Sequence, residues 1–155
     1  MNSSAVETVY RAELARVVRL AYLLTGDSAT AEEIAQEAFA RLIPRFDSTR
    51  QPEAFLTTVV VNLCRDRGRR AITAARHPRN RPASVLPPGL PHDVGEEWLA
   101  VQRLPQHHRE AIVLRFWADL STNQVARVLG IPAGTARSLL HRALTTLKQE
   151  LTDAD

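Results

Sequence analysis

A group of polar residues near the C-terminal end has the types and spacing that suit contact with DNA. Residues 122–140 show a short helix, a tight turn at Gly130 and a longer helix, which is typical of a helix-turn-helix. The second helix would present side chains that contact phosphates and base edges: Thr135, Arg137, Ser138, His141 and Arg142. Taken alone, this stretch is also compatible with an ordinary helical hairpin whose polar face is solvated.

A second candidate surface, here called the basic stripe, follows one face of the predicted third helix. Its members are spaced by three or four residues: Asn62, Arg65, Asp66 and Arg69. Arg67 and Arg70 are expected to widen it. Guanidinium and amide groups along one helix face suit a nucleic-acid backbone and unstacked bases. A solvated charged face explains the same pattern at least as well.

The third candidate surface, here called the acidic face, lies on the predicted second helix. Glu33, Gln36 and Glu37 share its outward side, and Glu37 can pair with Arg41 one turn later. Without further context, these residues indicate an ordinary solvated helix face.

Signs of catalysis or metal binding are missing from the sequence. It contains no glycine-rich phosphate loop, no G-x-S-x-G and no H-E-x-x-H. His107 and His108 are adjacent, so on a helix they would point in different directions and make a poor metal pair. Cys64 is the single cysteine, which excludes a disulfide framework. We therefore expect no catalytic residue, no metal site and no cofactor.

Composition limits the class of protein. The 155 residues are 45% hydrophobic and 24% charged, which is normal for a folded globular protein and excludes wholesale disorder. The longest apolar run is the five residues Leu20–Leu24, too short to span a bilayer. Residues 1–10 have neither the basic start nor the apolar core of a signal peptide. These features predict a cytoplasmic protein without membrane insertion.

Apolar residues recur every three or four positions on most of the chain, which predicts an all-α fold. Gly26 is expected to end the first helix, Asp27 to begin the second, and Ser121 with Gln124 to form a capping box. After Pro105, a helix is expected to bury one apolar face: Ile112, Val113, Phe116, Trp117 and Leu120. The β-branched run Thr57–Val61 would suit a strand, but the longer-range spacing from Pro52 onward favours a helix.

Charge and proline are concentrated in one stretch of the chain. Residues 65–95 hold seven basic and two acidic residues, a net charge of +5, and five of the nine prolines fall within 78–91. Proline fixes φ and removes a backbone donor, so this stretch suits neither a helix nor a central strand. We predict two small helical domains, 1–74 and 95–155, joined by a flexible Arg/Pro-rich linker at 75–94.

In this order, the three surfaces resemble those of a bacterial RNA polymerase sigma factor of the extracytoplasmic-function (ECF) group of the sigma-70 family. The family's regions 2.1 and 2.2 are similar to AYLLTGD at 21–27 and AEEIAQEAFARL at 31–42. Regions 2.3 and 2.4 are similar to EAFLTTVVVNLCRDRGRR at 53–70, and region 4 to residues 104–144. The amino-acid sequences of the AYLLTGD and VNLCRDRGRR motifs most resemble those of the actinobacterial branch of the family.

The resemblance implies a role for each surface. The acidic face would dock on the clamp helices of the polymerase β′ subunit, through Glu33, Gln36, Glu37 and Phe39. The basic stripe would open and hold the promoter −10 element, through Asn62, Arg65, Asp66 and Arg69. The last helix would read the −35 element, through Thr135, Arg137, Ser138, His141 and Arg142. The segment Pro44–Pro52 would capture a flipped −10 base.

The resemblance also implies a function and partners. The chain would bind core RNA polymerase, at the β′ clamp helices and the β flap, and direct transcription initiation at specific promoter DNA. The polymerase would perform the chemistry, and an anti-sigma factor would regulate the chain. A free-standing helix-turn-helix regulator is the alternative. A helical adaptor without a DNA role is a weaker one, because it leaves both arginine-rich surfaces unexplained.

Three residues depart from the family pattern. Phe55 stands where a tryptophan is common, and Val61 stands where an arginine often precedes the motif's asparagine. Leu139 occupies a position of the last helix where the family often has arginine. It offers an apolar group that suits a thymine methyl or a partner protein.

Overall fold

A computed structural model describes residues 3–74 and 95–153, and all regular structure in these two ranges is helical. The helices are α1 (Ser3–Thr25), α2 (Ser28–Leu42), α3 (Pro52–Ala74), α4 (Gly95–Arg103), α5 (Gln106–Ile112), α6 (Thr122–Leu129) and α7 (Ala133–Asp153). The chain divides into two compact units, Met1–Pro87 and Pro88–Asp155. The predicted all-α fold is confirmed. The predicted linker, 75–94, lies outside the described residues.

In the first unit, α1, α2 and α3 pack against one another around a single apolar core. Its fully buried members come from the apolar stripes of the three helices: Val17, Tyr22, Leu23, Ile34, Leu42, Leu56 and Val60. Burial of each large aliphatic side chain contributes roughly 1.5–3 kcal/mol. The core therefore fixes which faces of α2 and α3 point outward.

The turn between α1 and α2 follows the local sequence signals. Gly26 has a φ of 74°, the left-handed conformation that glycine adopts without strain. The Asp27 carboxylate then caps α2, because it accepts hydrogen bonds from the Ala29 amide at 3.1 Å and the Thr30 hydroxyl at 2.8 Å. Both predicted helix boundaries are confirmed.

The β-branched run is helical, as the longer-range spacing predicts. Thr57 is buried in α3, and its hydroxyl donates to the Glu53 carbonyl at 2.9 Å within the helix. Arg16 of α1 donates to the Thr57 hydroxyl and the Glu53 carbonyl, each at 3.1 Å. This contact ties α1 to the first turns of α3, so tertiary packing outweighs the strand propensity of the run.

The segment between α2 and α3 begins with helical structure. Residues Ile43–Ser48 form a 3₁₀ helix, and Pro44 lies in its first turn. The Thr49 hydroxyl donates to the Arg45 carbonyl at 2.6 Å and closes the turn that follows. Regular α-helix therefore ends at Leu42, two residues before Pro44, whose missing backbone donor was expected to interrupt it.

In the second unit, α7 is the central helix, and α4, α5 and α6 all pack against it. The core consists of apolar residues from each helix: Trp98, Val101, Leu104, Ile112, Leu114, Val125, Ala136, Leu140 and Ala143. The small residues Ala136 and Ala143 on α7 let the crossing helices approach closely.

One sequence-based prediction in this unit is wrong. Phe116 was expected on the buried apolar face after Pro105, but its side chain is 53% exposed. Residues Val113–Trp117 form a π-helical segment, in which the Ala118 amide donates to the Val113 carbonyl at 3.0 Å. A π-turn holds more residues than an α-turn, so it rotates the following side chains away from the α-helical register.

The turn of the helix-turn-helix has the geometry that its residues predict. The Ser121 hydroxyl accepts a hydrogen bond from the backbone N–H of Gln124, and the side-chain oxygen of Gln124 accepts one from the backbone N–H of Ser121. Together they form a complete capping box. At the other end of α6, Gly130 has a φ of 69°. The Ile131 amide donates to the Ala126 carbonyl at 3.0 Å and closes the turn.

We expect Gly130→Ala to destabilise the second unit by about 1–2 kcal/mol, because an L side chain at this φ is strained. No atom lies within 4 Å of the added Cβ, so the cost comes from the backbone alone. Gly134→Ala is the matched control, since Gly134 is helical and alanine there should stabilise α7 slightly. Thermal unfolding followed by circular dichroism measures both. Equal melting temperatures for the two variants would contradict the assignment.

Candidate nucleic-acid and protein-binding surfaces

The outward face of α7 is the first of the three candidate surfaces. All five residues expected to contact DNA are exposed: Thr135, Arg137, Ser138, His141 and Arg142. The opposite side of the helix is buried against the rest of the unit through Ala136, Leu140 and Ala143. Packing therefore leaves a polar strip along the first half of α7 that a DNA groove can receive.

The two arginines of this strip are available for a ligand. Among the described residues, neither Arg137 nor Arg142 forms an ion pair, and the Arg142 Nε lies at 3.4 Å from the Ser138 carbonyl. Leu139 is half-buried at the edge of the strip, so part of its side chain is accessible from outside. This arrangement combines cationic, hydroxyl and apolar groups, which is the set that reads phosphates, bases and thymine methyls.

The basic stripe lies on the outward side of α3. Asn62 and Arg69 are exposed, and Arg65 and Asp66 are half-buried. Asp66 forms an ion pair with Arg69 one turn later, so its carboxylate orients that guanidinium. The four residues therefore share one face, as their spacing predicts.

Arg67 does not extend this stripe. It stands five positions after Asn62, which places it about 140° around the helix. Its guanidinium instead reaches α2, where Nη1 lies 2.8 Å from the Glu33 carboxylate. The expectation that Arg67 widens the basic stripe is corrected by this contact.

The acidic face lies on the outward side of α2. Glu33, Gln36 and Glu37 are exposed, whereas the other side of the helix is buried in the core. Glu37 pairs with Arg41 at 3.2 Å, and the Gln36 amide donates to the Tyr10 hydroxyl at 3.3 Å. The polar side chains of this face are thus all held by neighbours within the chain.

Phe39 does not lie on this exposed face. Its side chain is 4% exposed, and its ring meets that of Tyr10 edge-on with 4.8 Å between centroids. Phe39 was expected to contact the polymerase together with the acidic face, but its burial places it in the core beneath α2. The sequence pattern missed Tyr10, which α1 brings beside Gln36, and periodicity within α2 carries no signal for it.

Two absences concern the part of the chain that the structure describes. There, no three His, Cys, Asp or Glu side chains come together in a way that could hold a metal ion. No helix in these ranges is long and apolar enough to cross a membrane.

Comparison with known families gives matches in both units. Residues 9–72 match the family described as Sigma-70 region 2, and residues 100–149 match Sigma-70, region 4. The first match contains the acidic face and the basic stripe. The second contains the polar strip of α7.

Two relatives match over most of their length. The RNA polymerase sigma-E factor of Streptomyces coelicolor is 32% identical over 149 residues, which cover 90% of this chain and 81% of the relative. SigW of Bacillus subtilis, an ECF RNA polymerase sigma factor, is 29% identical over 89% of this chain and 84% of its own.

A solved structure has the same fold. RpoE of Bartonella quintana, crystallised with the anti-sigma factor NepR, superposes with a TM-score of 0.76 at 23% identity. The superposition covers 94% of this chain and 96% of RpoE.

Proposed function

Because this chain belongs to the ECF group of the sigma-70 family of RNA polymerase sigma factors, we propose that it binds core RNA polymerase and directs transcription initiation at specific promoters. One observation carries the proposal. In both matched regions, the helices bury their apolar residues in a core and present the polar residues of the family motifs on their outward faces. A free-standing regulator would need the helix-turn-helix alone, so the match of residues 9–72 to region 2 favours a sigma factor.

The acidic face would bind the clamp helices of the polymerase β′ subunit. Its exposed members Glu33, Gln36 and Glu37 offer carboxylate and amide groups to a complementary, basic partner surface. Phe39 would act from beneath, by fixing the position of α2. The second unit would add a contact with the β flap.

The two remaining surfaces would bind promoter DNA. Asn62, Arg65, Asp66 and Arg69 would hold the −10 element after the duplex opens, and the outward residues of α7 would read the −35 element from the major groove. We further propose that residues 1–74 act in core and −10 binding and residues 95–155 in −35 binding. Both family matches fall within these bounds, which supports this division.

The chain itself would carry no catalytic group, since the polymerase forms the RNA chain. It would act in the cytoplasm, where core polymerase and promoter DNA are found. We also propose that an anti-sigma factor regulates it, as the resemblance of its motifs to ECF sigma factors implies.

Order of assembly tests the function. We expect the free chain to bind promoter DNA weakly and with little sequence preference, with a Kd on the order of 10⁻⁴–10⁻⁶ M, because its net charge is only +3. Addition of core polymerase should make binding specific and support run-off transcription. Electrophoretic mobility shifts with and without core polymerase measure the difference. Nanomolar, sequence-specific binding by the free chain would favour the regulator instead.

A further inference from the structure

Both carboxylates of the acidic face are already paired with arginines of the same chain. Glu33 meets Arg67 at 2.8 Å, and Glu37 meets Arg41 at 3.2 Å. A basic partner that binds this face must therefore exchange with these guanidinium groups or bind beside them. In the unbound chain, the face carries much less effective negative charge than its glutamates suggest.

The two pairs differ in how they are built. Arg41 is one turn from Glu37 on α2, so it stays beside Glu37 for as long as α2 is helical. Arg67 comes from α3, 34 residues along the chain, and only the packing of α2 against α3 brings it to Glu33. The first pair is local to the helix, whereas the second depends on the tertiary fold.

Exposure sets the strength of the second pair. The Arg67 side chain is 38% exposed and that of Glu33 is 63% exposed, so water and salt screen their attraction. Exposed pairs of this kind are weak and exchange readily. Such a contact cannot block a binding surface, but it can lower the affinity of a competing cation.

Resting on the proposed function, we propose that Arg67 is an intramolecular competitor of core polymerase for Glu33. A basic side chain of the polymerase that approaches the Glu33 carboxylate finds it already paired, and the positive charge of Arg67 beside it repels the incoming group. The Glu33–Arg67 pair thereby sets the affinity of the acidic face below the value that its carboxylates alone would give.

The test is the affinity of fluorescently labelled Arg67→Gln for purified core polymerase, measured by anisotropy. The variant should bind about two- to fivefold more tightly than the parent at low salt, the range that an exposed pair supports. The gain should shrink as salt is raised. Arg19→Gln is the matched control, because Arg19 is exposed on α1 and pairs with no acidic residue of the described ranges.

A second pair of variants tests whether the effect passes through Glu33. Glu33→Gln should weaken polymerase binding, and addition of Arg67→Gln to it should bring no further gain. Melting temperatures of all four variants should stay close to that of the parent, because the altered side chains are exposed or half-exposed.

The outcomes separate this inference from the function on which it rests. Unchanged or weaker binding by Arg67→Gln would overturn the inference and make Arg67 a positioning residue for Glu33. A gain that persists in the Glu33→Gln background, or that Arg19→Gln reproduces, would overturn it as a general charge effect. In each of these cases the parent still binds polymerase. A parent that fails to bind core polymerase at all would overturn the proposed function, and the inference with it.

Discussion

Glu37→Lys should weaken binding to core RNA polymerase by about tenfold or more, while the fold stays intact. The substitution replaces a carboxylate on the acidic face with an ammonium group, so an attraction to a basic partner becomes a repulsion. Within the described residues, Glu37 forms an ion pair with Arg41 on the same helix, and both side chains are about half exposed. Loss of that pair costs roughly 0.3–0.5 kcal/mol, whereas a tenfold loss of affinity corresponds to about 1.4 kcal/mol.

Glu7→Lys provides the matched control for this experiment. Glu7 is also an exposed glutamate that pairs with an arginine one turn later, Arg11, but it lies on α1, outside the acidic face. Competition between each variant and labelled parent for core polymerase measures the affinity, and circular dichroism monitors the fold. Equal competition by Glu37→Lys and the parent would remove α2 from the polymerase interface.

Local signals made much of the fold predictable. Gly26, Asp27, Ser121 and Gly130 act through hydrogen bonds and φ preferences within a few residues, so their effect can be read from neighbouring sequence. Apolar spacing likewise gave the helical state of α3, although five β-branched residues in a row favour a strand. The helical spacing was the better predictor there, because burial of one helix face contributes more free energy than the small differences in strand and helix propensity.

The π-helical segment was not predictable in this way. Extrapolation from Ile112 assumed 3.6 residues per turn, and the single extra residue of a π-turn was enough to place Phe116 outside. Asp119 then adopts a φ of 58°, a conformation for which glycine would have been the usual signal. Aspartate adopts this conformation more often than most residues, but it is common enough elsewhere that Asp119 alone did not indicate the turn.

Contacts between helices set the second limit of prediction. The expected exposure of Glu33, Gln36 and Glu37 agrees with the structure, because a helix face follows from spacing alone. Their partners Arg67 and Tyr10 lie on other helices, and which residues meet depends on how α1 and α3 pack on α2. Arg67 was expected to widen the basic stripe. Its offset of five positions from Asn62 already argues against this, but its pairing with Glu33 follows only from the tertiary fold.

The second large effect is expected on the last helix, where Arg137 and Arg142 should have different roles. They are five positions apart, so their side chains project about 140° apart around α7. Arg137 lies in the first turns of the helix, the part that helix-turn-helix proteins insert most deeply into the major groove. We therefore expect Arg137 to contact a base edge and Arg142 to contact the phosphate backbone.

These two roles predict different results in transcription from a library of −35 variants. Loss of a base-reading arginine costs about 1–3 kcal/mol at its own position, so Arg137→Ala should flatten the preference at one or two −35 positions. Loss of a phosphate contact weakens all sequences alike and reduces the salt slope by about 1, which is the expectation for Arg142→Ala. Lys148→Ala is the control, since it removes an exposed charge further along α7.

Both arginine variants should bind core polymerase like the parent, because they leave the first unit unchanged and alter only the DNA-facing side of α7. This separates a defect in DNA reading from a defect in assembly. Identical −35 profiles for Arg137→Ala and the parent would exclude Arg137 from base reading. The remaining candidates would then be Ser138, which is exposed in the same strip, and Leu139, whose half-buried side chain can meet a thymine methyl. Leu139→Ala would distinguish these two, since its effect should be confined to −35 positions occupied by thymine.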